Sequence, residues 1–538
     1  MKPYRISPER LTLRYVILGM GALAVAGIEG LLMRTQLMNV PLITDEHWYA
    51  ILTAHPLVGI YGWAYLCVMG AFLYLVPKLL NKPLFSPRLA TVTLWTVVVG
   101  LALAWSSGFF LHFASLYTVY WPLPVARFPP VTVTMFAVGL ALVEIGVLLF
   151  VVNIGATVLR RPKERKAAAA KPTGALLLSA FGIDVAVVYV ANRLARWRRR
   201  PEAAADGGVA TTVKSAQLPV FVVSVMRGSV DAVINAVVLA GAGVLMLVFA
   251  LPSLLAGITM DPLSVDPLVY KNVFWWGLDM VADGDVLIWV AGSLYLLAPL
   301  LVGGKLFGEG IVRWVILADL IVSMGVWSHH LMSDLPQPLF MRLVSGQFIT
   351  WGEFFTMGLS FFAALMTVWL ARPVKMTMPL KFMLGGIFGF MLGGFSGLLQ
   401  ANSGLNVIMH NTQWVPGFHI HEMILVGLGN ILFAVTYALL PMLTGTGLKS
   451  DRLSNAHFWL WTIGGVGMAW SMGLSWAVGA LRRMLYPSTD LYVPYQASAM
   501  VFGIILAAGF AAFVVNLVRT YGLKTLVGLF GPEPAPKT

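Results

Sequence analysis

The amino-acid sequence predicts an all-α polytopic membrane protein of about twelve transmembrane helices. Three observations predict it. The chain is 59% hydrophobic and 11% charged, with a mean hydropathy of +0.82, more apolar surface than a soluble protein of 538 residues can hide. Apolar runs of about 20 residues, the length that spans a bilayer, recur from end to end. They are continuous rather than alternating, which selects helices over barrel strands. Finally, Lys and Arg gather in alternate loops, the positive-inside distribution of a multi-pass chain.

Taken in order, the spans fall near 11–33, 48–77, 89–115, 131–158, 218–252, 272–302, 309–332, 345–371, 379–400, 417–444, 456–481 and 495–518. An even number of spans puts both termini on one side. The loops expected on the cytoplasmic side carry Lys78, Lys82 and Arg88; Arg160-Arg161-Pro-Lys-Glu-Arg-Lys166; Lys305; Arg372 and Lys375; and Lys449 and Arg452. The opposite loops are rich in Pro, Asp and Trp. The net charge of +13 therefore reflects topology, and nucleic-acid binding is excluded. The single Cys67 lies in an apolar run, so no disulfide framework or cysteine metal cage is expected. The polar start, Met1 to Arg10, leads straight into a full-length span with no small-residue cleavage pattern, so no cleavable signal peptide is expected.

Residues 159–217 interrupt the pattern. An apolar stretch, 173–193, lies between two basic runs, Arg160 to Lys166 and Arg196-Trp-Arg-Arg-Arg200. Positive charge at both ends keeps both ends inside. This predicts an inserted cytoplasmic loop with an interfacial or re-entrant helix, then an Ala/Gly linker at 202–210. The competing reading is a thirteenth span, which inverts everything downstream. The rest of 1–538 reads as a single transmembrane domain.

Nine histidines occur in the chain, and four sit in two pairs. His329-His330 lies in Trp-Ser-His-His-Leu-Met, and His419-x-His421 in Trp-Val-Pro-Gly-Phe-His-Ile-His-Glu-Met. Intramembrane imidazole is costly and kept for function, and neutral imidazole is the commonest side-chain metal ligand. In the twelve-span topology His55, early in the second span, shares one depth with both pairs. One such histidine is ordinarily a satisfied core group. Five in one layer on three spans are not a packing pattern.

Spacing sorts their roles. Adjacent helical residues point about 100° apart, so His329 and His330 reach one ion only at a helix end or distorted turn. The following Asp334-Leu-Pro-Gln-Pro marks such an end. His419 and His421 point about 200° apart and serve two centres flanking one helix. With His55 opposite one of them, one centre becomes a bis-histidine haem.

Acidic residues add a second signal. The sixth span reads Phe274-Trp275-Trp276-Gly-Leu-Asp279-Met-Val-Ala-Asp283-Gly-Asp285. The +4 spacing puts Asp279 and Asp283 on one face, and intramembrane carboxylates call for a functional reason. Glu353, Glu422, Glu29, Glu144, Asp184 and Asp319 also fall within apolar segments. Glu353 and Glu422 are proton-relay candidates, with buried neutral structural acids as the competing reading.

Together these residues resemble the catalytic subunit, subunit I, of the haem-copper oxidoreductase superfamily, which holds terminal oxygen reductases and nitric oxide reductases. The likeness covers most of the chain. It implies a cytochrome oxidase subunit I-like fold with two haems and one non-haem metal, copper or iron. His55 and His421 would hold the low-spin haem, His419 the high-spin haem, and His329 and His330 the metal. Ala401-Asn402, His410-Asn-Thr-Gln-Trp414 and Leu481-Arg482-Arg483-Met-Leu-Tyr-Pro487 also match. Arg482 and Arg483 would bind haem propionates, which suits bidentate guanidinium–carboxylate pairing.

Three departures stand out. Asp279 occupies the place of the family's sixth-helix histidine. Four residues on, Asp283 replaces the tyrosine of oxygen reductases or the glutamate of nitric oxide reductases. One extra residue separates Trp414 from the His-x-His pair. The resemblance makes Asp279 the expected third metal ligand, and a carboxylate hardens the site toward iron. Reduction of O2 takes four electrons, one usually from the tyrosine, whereas two NO need two electrons and two protons. The expectation is therefore reduction of nitric oxide to nitrous oxide, with Asp279, Asp283, Glu353 and Glu422 as acid-base groups.

The alternative is a terminal oxygen reductase. A remote alternative is an ion transporter using glycine-broken helices such as Leu384-Gly-Gly-Ile-Phe-Gly389. The chain lacks a Cys-x-x-Cys-His haem motif, so electrons are expected from a second subunit of cytochrome c or cupredoxin type, or from quinol. The implied location is a prokaryotic cytoplasmic membrane, with both termini cytoplasmic. If the usual inner proton channels are absent, protons enter from the outer side.

Overall fold

Inside a bilayer every backbone polar group must be satisfied within its own segment, so the apolar runs close into helices. A computed structural model describes residues 6–160, 173–198, 218–334, 337–485 and 490–531; the side chains of 173–175, 192, 194–198, 282 and 283 lie outside that set. Among the described residues the regular elements are helical, and the one isolated bridge pairs Thr412 with Leu481.

Ten helices are long and apolar enough to cross a membrane: α1 Pro8–Leu37, α2 Asp45–Leu80, α3 Pro87–Phe109, α4 Pro130–Leu159, α5 Val220–Ala256, α6 Pro267–Val302, then α8 Leu339–Leu370, α9 Met378–Gln400, α10 Val415–Thr444 and α12 Val493–Tyr521. Two further helices, α7 Glu309–Met324 and α11 Asp451–Leu474, stand where the seventh and eleventh spans were expected. Side-chain caps fix several starts. Ser7 accepts from the Arg10 amide, Thr44 from His47, Ser86 from Leu89, and Asp266 from Leu268 and Val269.

The seventh span ends earlier than the sequence predicts. It was expected to reach 332, but α7 stops after 16 residues at Met324, with Gly325 as its cap. The chain then turns through a short 3-10 segment, His329–Leu331. The histidine pair therefore sits beyond the helix, on a tightened turn.

Four helices contain π-helical stretches: Val58–Tyr65 in α2, Met280–Val286 in α6, Arg342–Phe348 in α8 and Val415–Leu428 in α10. A π turn closes i to i+5 and holds one more residue than an α turn; such turns concentrate at functional sites. Here each lies beside or around a candidate residue: His55, Asp279, Glu353, and the His419–His421 pair.

Close helix approach positions the pair further. α9 runs antiparallel to α10 along glycines spaced four apart, a small-residue stripe of the kind that lets membrane helices touch. A Cβ at Gly393 would lie 2.4 Å from Met423 Cγ, and one at Gly397 would lie 2.6 Å from His419 Cε1. Gly397→Leu should therefore displace the His419 ring and cost about 1–3 kcal/mol by overpacking; thermal unfolding and haem content of the purified variant check this.

In the inserted region the structure describes two short helices, Thr173–Ala180 and Asp184–Arg198. Both are shorter than the ~20 residues a crossing needs, and the first packs against α4 and α5. The expected linker 202–210 lies outside the described residues.

Candidate haem and metal centre

Two imidazoles face each other across a gap between α2 and α10. The ring centres of His55 and His421 are 6.5 Å apart and their planes differ by 25°. An ion bonded on both sides by imidazole nitrogen at about 2 Å separates ring centres by roughly 6 to 6.5 Å. The gap thus has the width of a bis-histidine metal site. Gly30 of α1 faces His55, where a Cβ would lie 3.5 Å from Cε1. Glu29 Oε2 lies 4.0 Å from His55 Nδ1, and Trp105 Nε1 donates to Glu29 Oε1 at 2.7 Å.

Four histidines share one arrangement. His421 Nδ1 hydrogen-bonds the Pro416 carbonyl, and His419 Nδ1 the Gly393 carbonyl at 2.9 Å. A carbonyl only accepts, so in both rings Nδ1 carries the proton. His329 Nδ1 lies 2.6 Å from Thr350 Oγ1, whose own hydrogen goes to the Gly346 carbonyl. His330 Nδ1 lies 2.5 Å from Asp279 Oδ1. With Nδ1 as donor in all four, Nε2 is the lone-pair nitrogen, the tautomer that outer-shell acceptors impose on metal-binding histidines.

The His329 and His330 rings are 4.6 Å apart, and His330 stacks on Trp275 at 4.4 Å. Asp279, expected from the resemblance as a third metal ligand, bonds the back nitrogen of His330 instead. Among the described residues no group of three or more His, Cys, Asp or Glu converges to hold an ion by itself. His410 carries no expectation from the sequence beyond its place in the segment His410–Trp414. Its ring comes within 6.0 Å of His330, because the chain between α9 and α10 folds back over the site.

The paired arginines lie at the same end, on the segment after α11. Arg483, at a φ of 60°, donates to the Tyr120 hydroxyl at 3.0 Å and the Tyr117 hydroxyl at 2.8 Å. The Arg482 backbone N–H donates to the Asn411 carbonyl at 3.1 Å. Its side chain is buried, and Nε of both arginines is buried without a hydrogen-bond acceptor. Burial, with the Arg483 guanidinium beside it, pushes Arg482 down to about 9. A buried cation so poorly compensated calls for an anion, and a haem propionate is one. The donors present thus fit two haems and a non-haem metal. Arg482→Ala should speed haem loss roughly tenfold or more, the worth of one charge-assisted hydrogen bond; transfer of haem to an apo-globin acceptor measures it.

The remaining candidates are spread around this core. Glu353 is buried on α8, three residues from Thr350 and so on the same face. Glu422 is buried on α10 beside the Trp470 side chain. The side chain of Asp283 lies outside the described residues.

Known proteins share this chain's pattern. A family profile described as "Cytochrome C and Quinol oxidase polypeptide I" matches residues 10–505. The cytochrome c oxidase polypeptide 1 of Halobacterium salinarum is 25% identical over 96% of this chain and 76% of its own length. A probable quinol oxidase subunit 1 of Staphylococcus haemolyticus is 23% identical over 96% of this chain and 70% of its own. Among solved structures, a heme-copper terminal oxidase dimer determined by cryo-EM aligns with a TM-score of 0.73 at 20% identity, covering 99% of this chain and 85% of that one.

Proposed function

The chain belongs to the cytochrome c and quinol oxidase polypeptide I family, and on that premise we propose that it reduces nitric oxide to nitrous oxide in a prokaryotic cytoplasmic membrane. His55 and His421 hold a low-spin haem and His419 a high-spin haem. His329 and His330 hold the non-haem metal, copper or iron, with Asp279 behind them on His330 Nδ1. These groups, when bound, supply the electron storage that joining two NO requires. The chain's own residues do the rest. Backbone carbonyls on His419 and His421 fix ring orientation before any cofactor arrives. Arg482 and Arg483 hold the propionates. Glu353 and Glu422, with Asp279 and Asp283, hand protons toward the departing oxygen. Electrons come from a second subunit of cytochrome c or cupredoxin type, or from quinol.

The observation that carries this reading is in the sixth span, where Asp283 stands in place of the tyrosine that the resemblance gives the oxygen-reducing members, while Asp279 adds a carboxylate on His330 at 2.5 Å. A second reading, terminal oxygen reduction, is favoured by the names of the relatives, which are cytochrome c and quinol oxidases. The purified complex with an artificial donor separates the two. Nitrous oxide formed from NO, with slow O2 consumption, supports the first; fast O2 consumption with negligible nitrous oxide establishes the second.

A further inference from the structure

Below the histidine layer lies a chain of buried acids that the proposed chemistry does not use. Arg227 of α5 is fully buried and bonds two carboxylates, Asp231 at 2.7 Å and Asp319 of α7 at 3.3 Å. Ser323 Oγ lies 3.3 Å from Asp231 Oδ1, and Thr356 Oγ1 of α8 lies 3.4 Å from Asp319 Oδ1. Asp231 also presses on the π stretch of α6: a Cβ at Gly284 would lie 2.7 Å from its Oδ2. The next residue, Asp285, is fully buried and accepts from the Tyr65 hydroxyl at 2.5 Å. Tyr65 and Tyr61 share Asn235, at 3.3 and 3.0 Å. Asp285 follows Asp279 by six residues on α6, about 9 Å along the axis.

The cluster also has an end away from the histidines. A Cβ at Gly182 of the inserted region would lie 3.6 Å from Val223 Cγ1 of α5 and 3.9 Å from Ile316 Cγ2 of α7, one turn before Arg227 and Asp319. Two residues on, Asp184 is buried, and neither carboxyl oxygen has a hydrogen-bond partner. This is the side where the Lys and Arg distribution places the cytoplasm.

A single guanidinium balances a single carboxylate. Arg313, also buried at this end, is paired with Glu309 at 2.8 Å, so Asp184, Asp231, Asp285 and Asp319 outnumber Arg227, and unbalanced charge at this depth is costly. The surplus carboxyls are therefore places where protons are held.

We propose that Asp184, Asp319, Asp231 and Asp285 form a proton relay from the inserted region to the π stretch of α6, with Arg227 as the fixed countercharge. Each hop moves one proton from a carboxyl toward the next carboxylate, carried by bridging water or by hydroxyls such as Ser323 and Thr356. The donor is then refilled from the Asp184 end, and the proton consumed at the gas site draws the next one. The relay replaces the expectation of entry from the opposite side. It rests on the proposed gas-reducing reading, though not on which gas is used.

The test uses the intact complex in proteoliposomes with an artificial donor and whichever gas it consumes. Asp184→Asn leaves the Arg227 ion pairs intact, so it is the primary variant; Asp319→Asn is the second. Both are expected to lower turnover roughly tenfold or more and to raise the solvent deuterium isotope effect, with haem content unchanged. Asp319→Glu restores most of the rate. Independently of turnover, the reduction-induced infrared difference spectrum should lose a carboxyl band in each Asn variant. Wild-type turnover, isotope effect and infrared bands in both Asn variants overturn the relay, as does a sodium requirement without an isotope effect. Failure of the gas-reducing reading looks different: the unaltered complex consumes neither gas, yet its carboxyl bands still respond to reduction.

Discussion

His421→Ala is expected to remove the low-spin haem and bring turnover with an external donor to background, while the haem on His419 stays bound. His55→Ala should give the same absorption spectrum, since the two rings face one gap 6.5 Å wide. His419→Ala should give the converse, losing the other haem. The reason is geometric. His419 and His421 lie two residues apart in the π stretch Val415–Leu428, with their Nδ1 atoms anchored on different carbonyls, Gly393 on α9 and Pro416 on α10. Each Nε2 therefore addresses its own centre. Haem extraction and optical spectra of the three variants check the assignment; different spectra for His55→Ala and His421→Ala contradict it.

Asp279→Ala is expected to lower non-haem metal affinity about 10- to 100-fold, the usual cost of losing a carboxylate partner of a metal-bound histidine, with haem content unchanged. Removing Asp279 takes away the acceptor that holds the proton on His330 Nδ1. The ring, stacked on Trp275, then loses the bond that fixes its tautomer. Asp279→Asn should fall between, because an amide oxygen still accepts but without charge. Asp279→His puts a neutral ring where the charged acceptor stands and should weaken the metal about as much as Asp279→Ala does. Metal titration of the four proteins orders them; equal affinity across the series contradicts any role for Asp279 at the metal.

Much of this was legible in the sequence because the bilayer forces it. Continuous apolar runs have one backbone solution, so the helical fold and most span positions follow from composition. The five histidines stood out because intramembrane imidazole is rare. Other features had no sequence signature. The apolar pattern continues past Met324, and only Gly325, one glycine among many in apolar runs, marks the break that puts His329 and His330 on a 3-10 turn. The π stretches lie inside continuous apolar helices, so hydrophobic periodicity does not register them. His410 approaches His330 only through the fold of a loop. Arg227 and Asp231, by contrast, could have been found: opposite charges four apart in an apolar run share a helix face, and both lie inside the fifth expected span.

The most direct test of the central claim is haem and metal analysis of the purified wild-type complex. The account predicts two haems, one of them bis-histidine by its spectrum, and about one non-haem metal. A preparation with turnover but a single haem, or none, would contradict it.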